Sequence, residues 1–169
     1  MKLITNENNI DALKILISAN EVKSQLNIEH GGGGLVPCLV EGSTDLKLFV
    51  VNSACLFLHQ NAEVLNKKSA TAVEGLLDWE ANVLRPVLSL FHATKKNGED
   101  IKKVLKARIL PILEQSDDQL THYPKLHEIT SANDIVIWCD LYPIWIDHPE
   151  IIGALPRIKI WMEYLNSKQ

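Results

Sequence analysis

One segment in the last third of the chain is apolar almost without interruption. It runs from Ile135 to Trp145, and Asp140 is its single charged residue. A helix that is apolar on every side is normally surrounded by protein. The segment is also shorter than the about 20 residues that a membrane span needs. The pattern therefore predicts a buried central helix rather than a membrane anchor.

The residues before this segment predict how the helix begins. In Ser131-Ala132-Asn133-Asp134, the Ser131 side chain can accept a hydrogen bond from the backbone N–H three residues on, and Asp134 can accept one from the Ser131 N–H. Two of the N–H groups that a helix start leaves unpaired are then satisfied. Ser131 and Asp134 are therefore the predicted capping residues.

The first third of the chain alternates between strand-like and helix-like patterns. Strands are predicted at four short segments, 2–5, 25–29, 35–41 and 46–50. Helices are predicted at about 10–17, with Asn8 or Asn9 as the cap, and at about 52–59. Gly42-Ser43-Thr44-Asp45 is typical of a hairpin turn, and the run Gly31 to Gly34 is expected to form a flexible loop because it lacks the Lys-Ser/Thr of a phosphate-binding loop.

The rest of the chain carries helical patterns. A long helix is predicted over 70–91 with a kink at Pro86, because proline lacks an N–H and clashes with the preceding turn. Three further features are predicted: a helix that begins at 98–100, a surface loop over 116–128, and a last helix that starts at Pro156. The predicted organisation is a first lobe at 1–62, a polar linker at 63–69 and a helical lobe at 70–169.

Composition narrows the possible functions. The formal charge of −4 argues against a dedicated nucleic-acid binder, which needs a basic surface. A cluster of Lys102, Lys103, Lys106 and Arg108 is interpreted as a solvated face, with tRNA contact as the alternative. Three cysteines without a C-x-x-C pair indicate neither a disulfide framework nor a zinc site, and the absence of a signal-peptide pattern favours a cytoplasmic protein.

Two groups of motifs resemble a known family. The first is Asn133-Asp134-Ile135-Val136-Ile137-Trp138 with Leu141-Tyr142-Pro143, and the second is Leu77-Asp78-Trp79-Glu80-Ala81 with Leu84-Arg85-Pro86-Val87-Leu88 and then Lys95 to Asp100. In order and spacing they are similar to the glutathione-transferase-like N-terminal appendices of animal cytosolic methionyl-tRNA synthetases. The resemblance covers about 70–165. It implies an α+β/α fold, with a reduced thioredoxin-like lobe followed by an all-helical lobe.

The resemblance also implies a function, that of a protein–protein interaction domain. Such appendices dock onto other glutathione-transferase-like proteins of the multi-synthetase complex, either a scaffold protein or another synthetase. Two surfaces remain open: the helix from Asn52 with the start of the helix from Ala70, or the last helical region near Arg157. The candidate interface residues are Asn52, Leu56, His59, Ala72, Trp79 and Arg157. Trp79 is interpreted as a packing residue, with a partner anchor as the alternative.

The sequence lacks residues that two possible catalytic functions require, tRNA aminoacylation and glutathione transfer. The two ATP-handling motifs of a methionyl-tRNA synthetase are missing, so the fragment is not expected to aminoacylate tRNA. The resemblance places Pro37, expected to be cis, and Ser53 at glutathione-binding positions, but Thr5 is the only early hydroxyl that could activate a thiol. Cys55 and His59 have the spacing of two metal ligands and lack a third. No catalytic residue, cofactor or metal is therefore predicted, and a glutathione transferase remains the alternative.

Overall fold

The computed structural model describes residues 1–7, 9–31, 35–62, 67–97, 101–120 and 130–167, with the backbone alone for 67–72, 95–97 and 119–120. Four predicted features fall wholly or partly outside the described residues: the glycine run, the linker, the helix start at 98–100 and the loop after residue 120. The chain divides into two compact units. The first is Met1–Glu74 with Ser131–Cys139, and the second is Gly75–Thr130 with Asp140–Gln169.

The first unit contains a four-stranded sheet. Its strands are β1 (Lys2–Thr5), β2 (Asn27–His30), β3 (Cys38–Val40) and β4 (Lys47–Leu48). Their order is β2-β1-β3-β4, with β1 parallel to β2 and antiparallel to β3, and β3 antiparallel to β4. Leu3 lies opposite Ile28 on one side and Leu39 on the other, and Leu3 and Leu39 are fully buried. The predicted β-α-β-β-β-α order is confirmed.

Two helices pack against each other in this unit. Helix α1 (Ile10–Glu21) begins at Asn9, whose side-chain oxygen accepts hydrogen bonds from the backbone N–H groups of Asp11 at 2.9 Å and Ala12 at 3.2 Å. Helix α2 (Val51–Asn61) follows β4, and its N-cap residue Val50 makes no capping hydrogen bond through its side chain. The start of α2 is therefore set by packing rather than by a polar cap.

The β3–β4 turn is organised by one carboxylate. Oε2 of Glu41 accepts hydrogen bonds from the backbone N–H and hydroxyl groups of Ser43 and Thr44, at 2.7–2.9 Å. The hydroxyls of Ser43 and Thr44, followed by their N–H groups, lower the pKa of Glu41 to about 2. The predicted turn at 42–45 thus has a local polar cause.

Two turns in the helical region are wider than an α-helical turn. One is Glu80–Leu84, between α3 (Lys67–Trp79) and α4 (Arg85–Asn97). The other is Leu105–Ile109, between α5 (Ile101–Val104) and α6 (Leu110–Leu120). Each ends two residues before a proline, Pro86 or Pro111. A wide turn relieves the clash between a proline ring and the carbonyl four residues earlier, so the kink predicted at Pro86 takes this form.

The last three helices are α7 (Ala132–Asp147), α8 (Pro149–Gly153) and α9 (Pro156–Ser167). Every residue from Ser131 to Cys139 is buried. At the start of α7 the Ser131 N–H donates to Asp134 Oδ2 at 2.8 Å, and the Ser131 hydroxyl lies 2.5 Å from the same oxygen. The helix, which is buried from Ala132 to Cys139 but exposes Tyr142 and Ile146, therefore begins on a pairing between the two residues of the predicted cap.

The surface loop predicted from residue 116 is wrong in its first part, because α6 continues through Leu120. The Ser116 hydroxyl donates to the Ile112 carbonyl at 2.9 Å, so this polar side chain is satisfied within the helix. Asp117 is buried, and its carboxylate accepts hydrogen bonds from another helix, as described below. A polar stretch here marks a helix with tertiary contacts rather than a loop.

Candidate interaction surfaces

The positions that the resemblance assigns to glutathione lie in the first unit. The peptide bond before Pro37 is cis, as expected, and Ser53 is exposed in the first turn of α2. Thr5 is only 4 % exposed, and its hydroxyl donates to the Asn6 carbonyl at 3.1 Å. The one early hydroxyl is thus buried and engaged with its own backbone, where it is poorly placed to activate a thiol.

Cys38 follows Pro37, and it is 4 % exposed. Burial raises the pKa of its thiol, with a smaller opposing effect from the charge on Lys47. Because the thiolate is the reactive form, this cysteine is poorly suited to nucleophilic chemistry. Cys55 and Cys139 are also buried, and no group of three metal-ligating side chains occurs among the described residues.

The candidate interface residues on α2 are largely inside the protein. Asn52 is 9 % exposed, and His59 has no exposed surface. Within the described part of the chain neither ring nitrogen of His59 finds a hydrogen-bond partner, and burial lowers the pKa of the ring to about 4. His59 is therefore neutral at physiological pH. A partner that binds to α2 would instead contact half-buried Leu56 and exposed Ser53. The side chain of Ala72, another candidate, is not among the described side chains.

Arg157 belongs to a contact between α6 and α9. The carboxylate of Asp117, 8 % exposed, accepts hydrogen bonds through Oδ1 from the backbone N–H groups of Arg157 at 2.9 Å and Ile158 at 2.8 Å. The Arg157 guanidinium lies 3.5 Å from carboxylate oxygens of both Asp117 and Asp118. Asp117 thus caps α9 from another helix, and Arg157 is held by this pairing while 42 % of its side chain stays exposed.

An exposed apolar stripe follows one side of the α3–α4 region. It consists of half-buried Trp79 and Val87 with Val83, 39 % exposed, and Leu90, 47 % exposed. These residues are spaced three or four apart and so share one side of the helical rod. The neighbouring side of the helix supplies the core through Leu77, Leu84, Leu88 and Phe91. Of the four stripe residues, only Trp79 is identified from the sequence as a possible partner anchor. The signal for the others is that they repeat at helical spacing beside the series of core residues.

A basic face lies on α5 and the wide turn after it. We use this name for Lys102, Lys103, Lys106 and Arg108, all of which are exposed. The same segment turns Leu105 and Ile109 inward, and both are fully buried. The apolar stripe and the basic face are both parts of the second unit, and they differ in chemistry: one is uncharged and the other has no large apolar side chain exposed.

In the described part of the chain no helix combines the length and apolar character needed to cross a bilayer. Comparison with solved structures shows a glutathione transferase fold. Na-GST-3, a monomeric glutathione transferase from Necator americanus, superposes with a TM-score of 0.80 at 15 % identity, over 98 % of this chain and 91 % of that one. Glutathione S-transferase 1-6 from Anopheles dirus gives 0.78 at 14 % identity, over 99 % and 89 %.

Sequence comparison finds a different group of relatives. The cytoplasmic methionine–tRNA ligase of Mus musculus is 26 % identical over all of this chain, and that of Xenopus laevis is 24 % identical over 96 % of it. The chain spans only about one fifth of the length of these relatives. No protein-family profile matches the chain. The predicted fold and the predicted resemblance to cytosolic methionyl-tRNA synthetases are confirmed by these similarities.

Proposed function

We propose that this chain is a non-catalytic protein–protein interaction domain of a cytoplasmic methionyl-tRNA synthetase. It docks the synthetase onto other glutathione-transferase-like members of the multi-synthetase complex by forming a heterodimer with them. The observation that carries this proposal is that a chain with a glutathione transferase fold aligns, over 96–100 % of its length, with about one fifth of two methionine–tRNA ligases. Ligation of methionine to tRNA belongs to the rest of the parent protein.

The chemistry near Pro37 supports binding rather than catalysis. Thr5 is buried and hydrogen-bonded to its own backbone, and burial keeps the Cys38 thiol protonated. Apart from Thr5, strand β1 has no thiol or hydroxyl group that could stabilise a glutathione thiolate. A transferase needs such an activated group within reach of the thiol.

We place the docking surface on the apolar stripe. Protein interfaces owe most of their affinity to a few apolar and aromatic anchors, and the stripe aligns four such side chains. The rival surface around Arg157 has its main cation already committed to Asp117. Because a specific interface buries roughly 800 Å² per partner, the stripe would form its centre and the neighbouring polar residues its rim.

Sedimentation velocity with purified glutathione-transferase-like proteins of the complex tests the proposal. The test variant is Val83→Glu with Leu90→Glu, which places two charges in the stripe. The matched control is Ile146→Glu with Ile160→Glu, because these side chains are 60 % and 59 % exposed elsewhere in the same unit. We expect the native chain and the control to form a heterodimer, and the stripe variant to bind at least about 100-fold more weakly, since a buried unpaired charge costs several kcal/mol.

The control separates the stripe from a surface on α7 and α9, which includes the last helical region near Arg157. Loss of binding only in the Ile146/Ile160 control would move the interface away from the stripe, to α7 or α9, and leave the docking function standing. A chain that stays monomeric with every such partner would refute the function itself.

A further inference from the structure

The basic face stands out against the charge of the rest of the chain. The segment 101–113 contains four basic and no acidic residues, whereas the other residues carry 13 basic against 21 acidic side chains, a formal charge of −8. Such a contrast produces a local positive potential on an otherwise acidic protein. A partner attracted to this face therefore has to be anionic.

Three members of the face are available to a partner. Lys102, Lys106 and Arg108 are exposed, and within the described residues no carboxylate forms an ion pair with any of them. Lys102 and Lys106 are four residues apart and share one side of the helix, separated by roughly 6 Å along its axis at 1.5 Å per residue, whereas Arg108 lies further round the helix. Lys102 and Lys106 can therefore meet two charges of a polyanion at once, and Arg108 adds to the positive potential beside them.

The composition of the face decides what kind of polyanion it fits. The other exposed residues of the segment are Lys103, Ala107 and Pro111, so no aromatic or large aliphatic side chain is offered. Protein interfaces need such anchors, and lysine is depleted in them. Contacts to phosphates need cations alone, and they carry no sequence information. The face therefore suits a sugar–phosphate backbone better than an acidic protein.

We propose that the basic face binds the phosphate backbone of a structured RNA. The identification of that RNA as tRNA rests on the proposed function, because the parent protein is then a tRNA ligase. Without an aromatic platform for base stacking, the contact is independent of sequence and depends steeply on salt. This surface serves a different ligand from the apolar stripe.

Fluorescence anisotropy with a labelled tRNA transcript tests this inference on the full chain. The test variant is Lys102→Gln/Lys106→Gln/Arg108→Gln, and the matched control is Lys23→Gln/Lys47→Gln/Lys159→Gln, which removes the same charge from exposed positions elsewhere. We expect the native chain to lose about 50-fold in affinity between 50 and 200 mM salt, as roughly three to four phosphate contacts predict. The test variant should bind at least about 10-fold more weakly at 50 mM salt, and the control within about threefold of native.

Three results would overturn the inference: no tRNA binding at low salt, equal weakening in both variants, or tighter binding to poly-glutamate or to phosphatidylserine vesicles than to tRNA. The sedimentation experiment on the stripe distinguishes a failure of the RNA-binding inference from a failure of the proposed docking function. Loss of tRNA binding with an intact heterodimer refutes the basic face alone. Binding to tRNA without any heterodimer refutes the docking function and leaves the RNA contact standing.

Discussion

Helices α7 and α9 both begin on a buried carboxylate, but the two carboxylates come from very different places in the chain. At α7, Asp134 accepts from the backbone N–H of Ser131, three residues away. At α9, Asp117 accepts from the backbone N–H groups of Arg157 and Ile158, which lie 40 and 41 residues further on. The first cap defines where one helix starts, whereas the second also ties α9 to α6.

This difference has an energetic consequence. At the start of α7, removing Asp134 takes the acceptor from one backbone donor, the Ser131 N–H. Removing Asp117 leaves two backbone donors without their acceptor inside the packing between α6 and α9. An unsatisfied buried donor costs its full desolvation energy. The distant cap should therefore be the more sensitive of the two.

The largest effect is expected for Asp117→Ala, which should lower the free energy of unfolding by about 2–4 kcal/mol through the loss of two charge-assisted hydrogen bonds. Urea denaturation measures it. The control is Asp118→Ala, because Asp118 also faces Arg157 but is 88 % exposed, and it should cost less than about 0.5 kcal/mol. Equal losses for the two variants would show that Asp117 acts by charge and not as a cap.

Ser131→Ala and Asp134→Ala should each cost about 0.5–2 kcal/mol, as helix caps usually do. Because the two side chains pair with each other, the double variant should cost clearly less than the sum of the single variants. Urea denaturation of all three variants completes the cycle. Strictly additive losses would mean that the two residues act independently at the start of α7.

Arg157→Gln should cost less than about 1 kcal/mol, although Arg157 takes part in the same contact as Asp117. Its guanidinium is 42 % exposed, and its distances of 3.5 Å to the two carboxylates are long. The backbone N–H of residue 157 remains available to Asp117 in this variant. A loss as large as that of Asp117→Ala would place the stabilisation in the ion pair, and the cap would then be secondary.

The smallest effect concerns Glu41, whose carboxylate accepts hydrogen bonds as a cap does but lies in an exposed turn. Its pKa of about 2 in the folded chain is below the ordinary value of 4.5. The ionised form is therefore favoured by folding, so its stabilisation is complete above about pH 4.5 and disappears as the pH falls towards 2. Carbon NMR titration of the carboxyl group should give a midpoint near 2, and a midpoint near 4.5 would show that the turn does not hold the carboxylate.

Features with local causes were predictable from the sequence. The Asn9 cap, the pairing of Ser131 with Asp134 and the distortion before Pro86 all depend on residues within a few positions of one another. The wide turn before Pro111 has the same local cause and could have been predicted too. Asp117 could not, because its partners on α9 come near it only through tertiary packing.

The candidate interface shows the same limit. The resemblance implies His59 and Asn52 as contact residues, yet both are buried, because a resemblance in sequence does not say which faces of a helix the rest of the chain covers. Val83 and Leu90 were assigned to no surface, although they are among the exposed apolar residues of the second unit. Exposure is a property of the packed chain, so interface residues need the structure.

The proposed function requires that the transferase fold serves binding and not catalysis. The most direct measurement is the initial rate of glutathione conjugation to a chromogenic electrophile at increasing concentrations of the chain. The rate should equal the uncatalysed rate at every concentration, because Thr5 and Cys38 cannot supply an activated group. A conjugation rate that rises in proportion to the concentration of the chain, and that falls to the uncatalysed rate in Ser53→Ala, would contradict the proposed function.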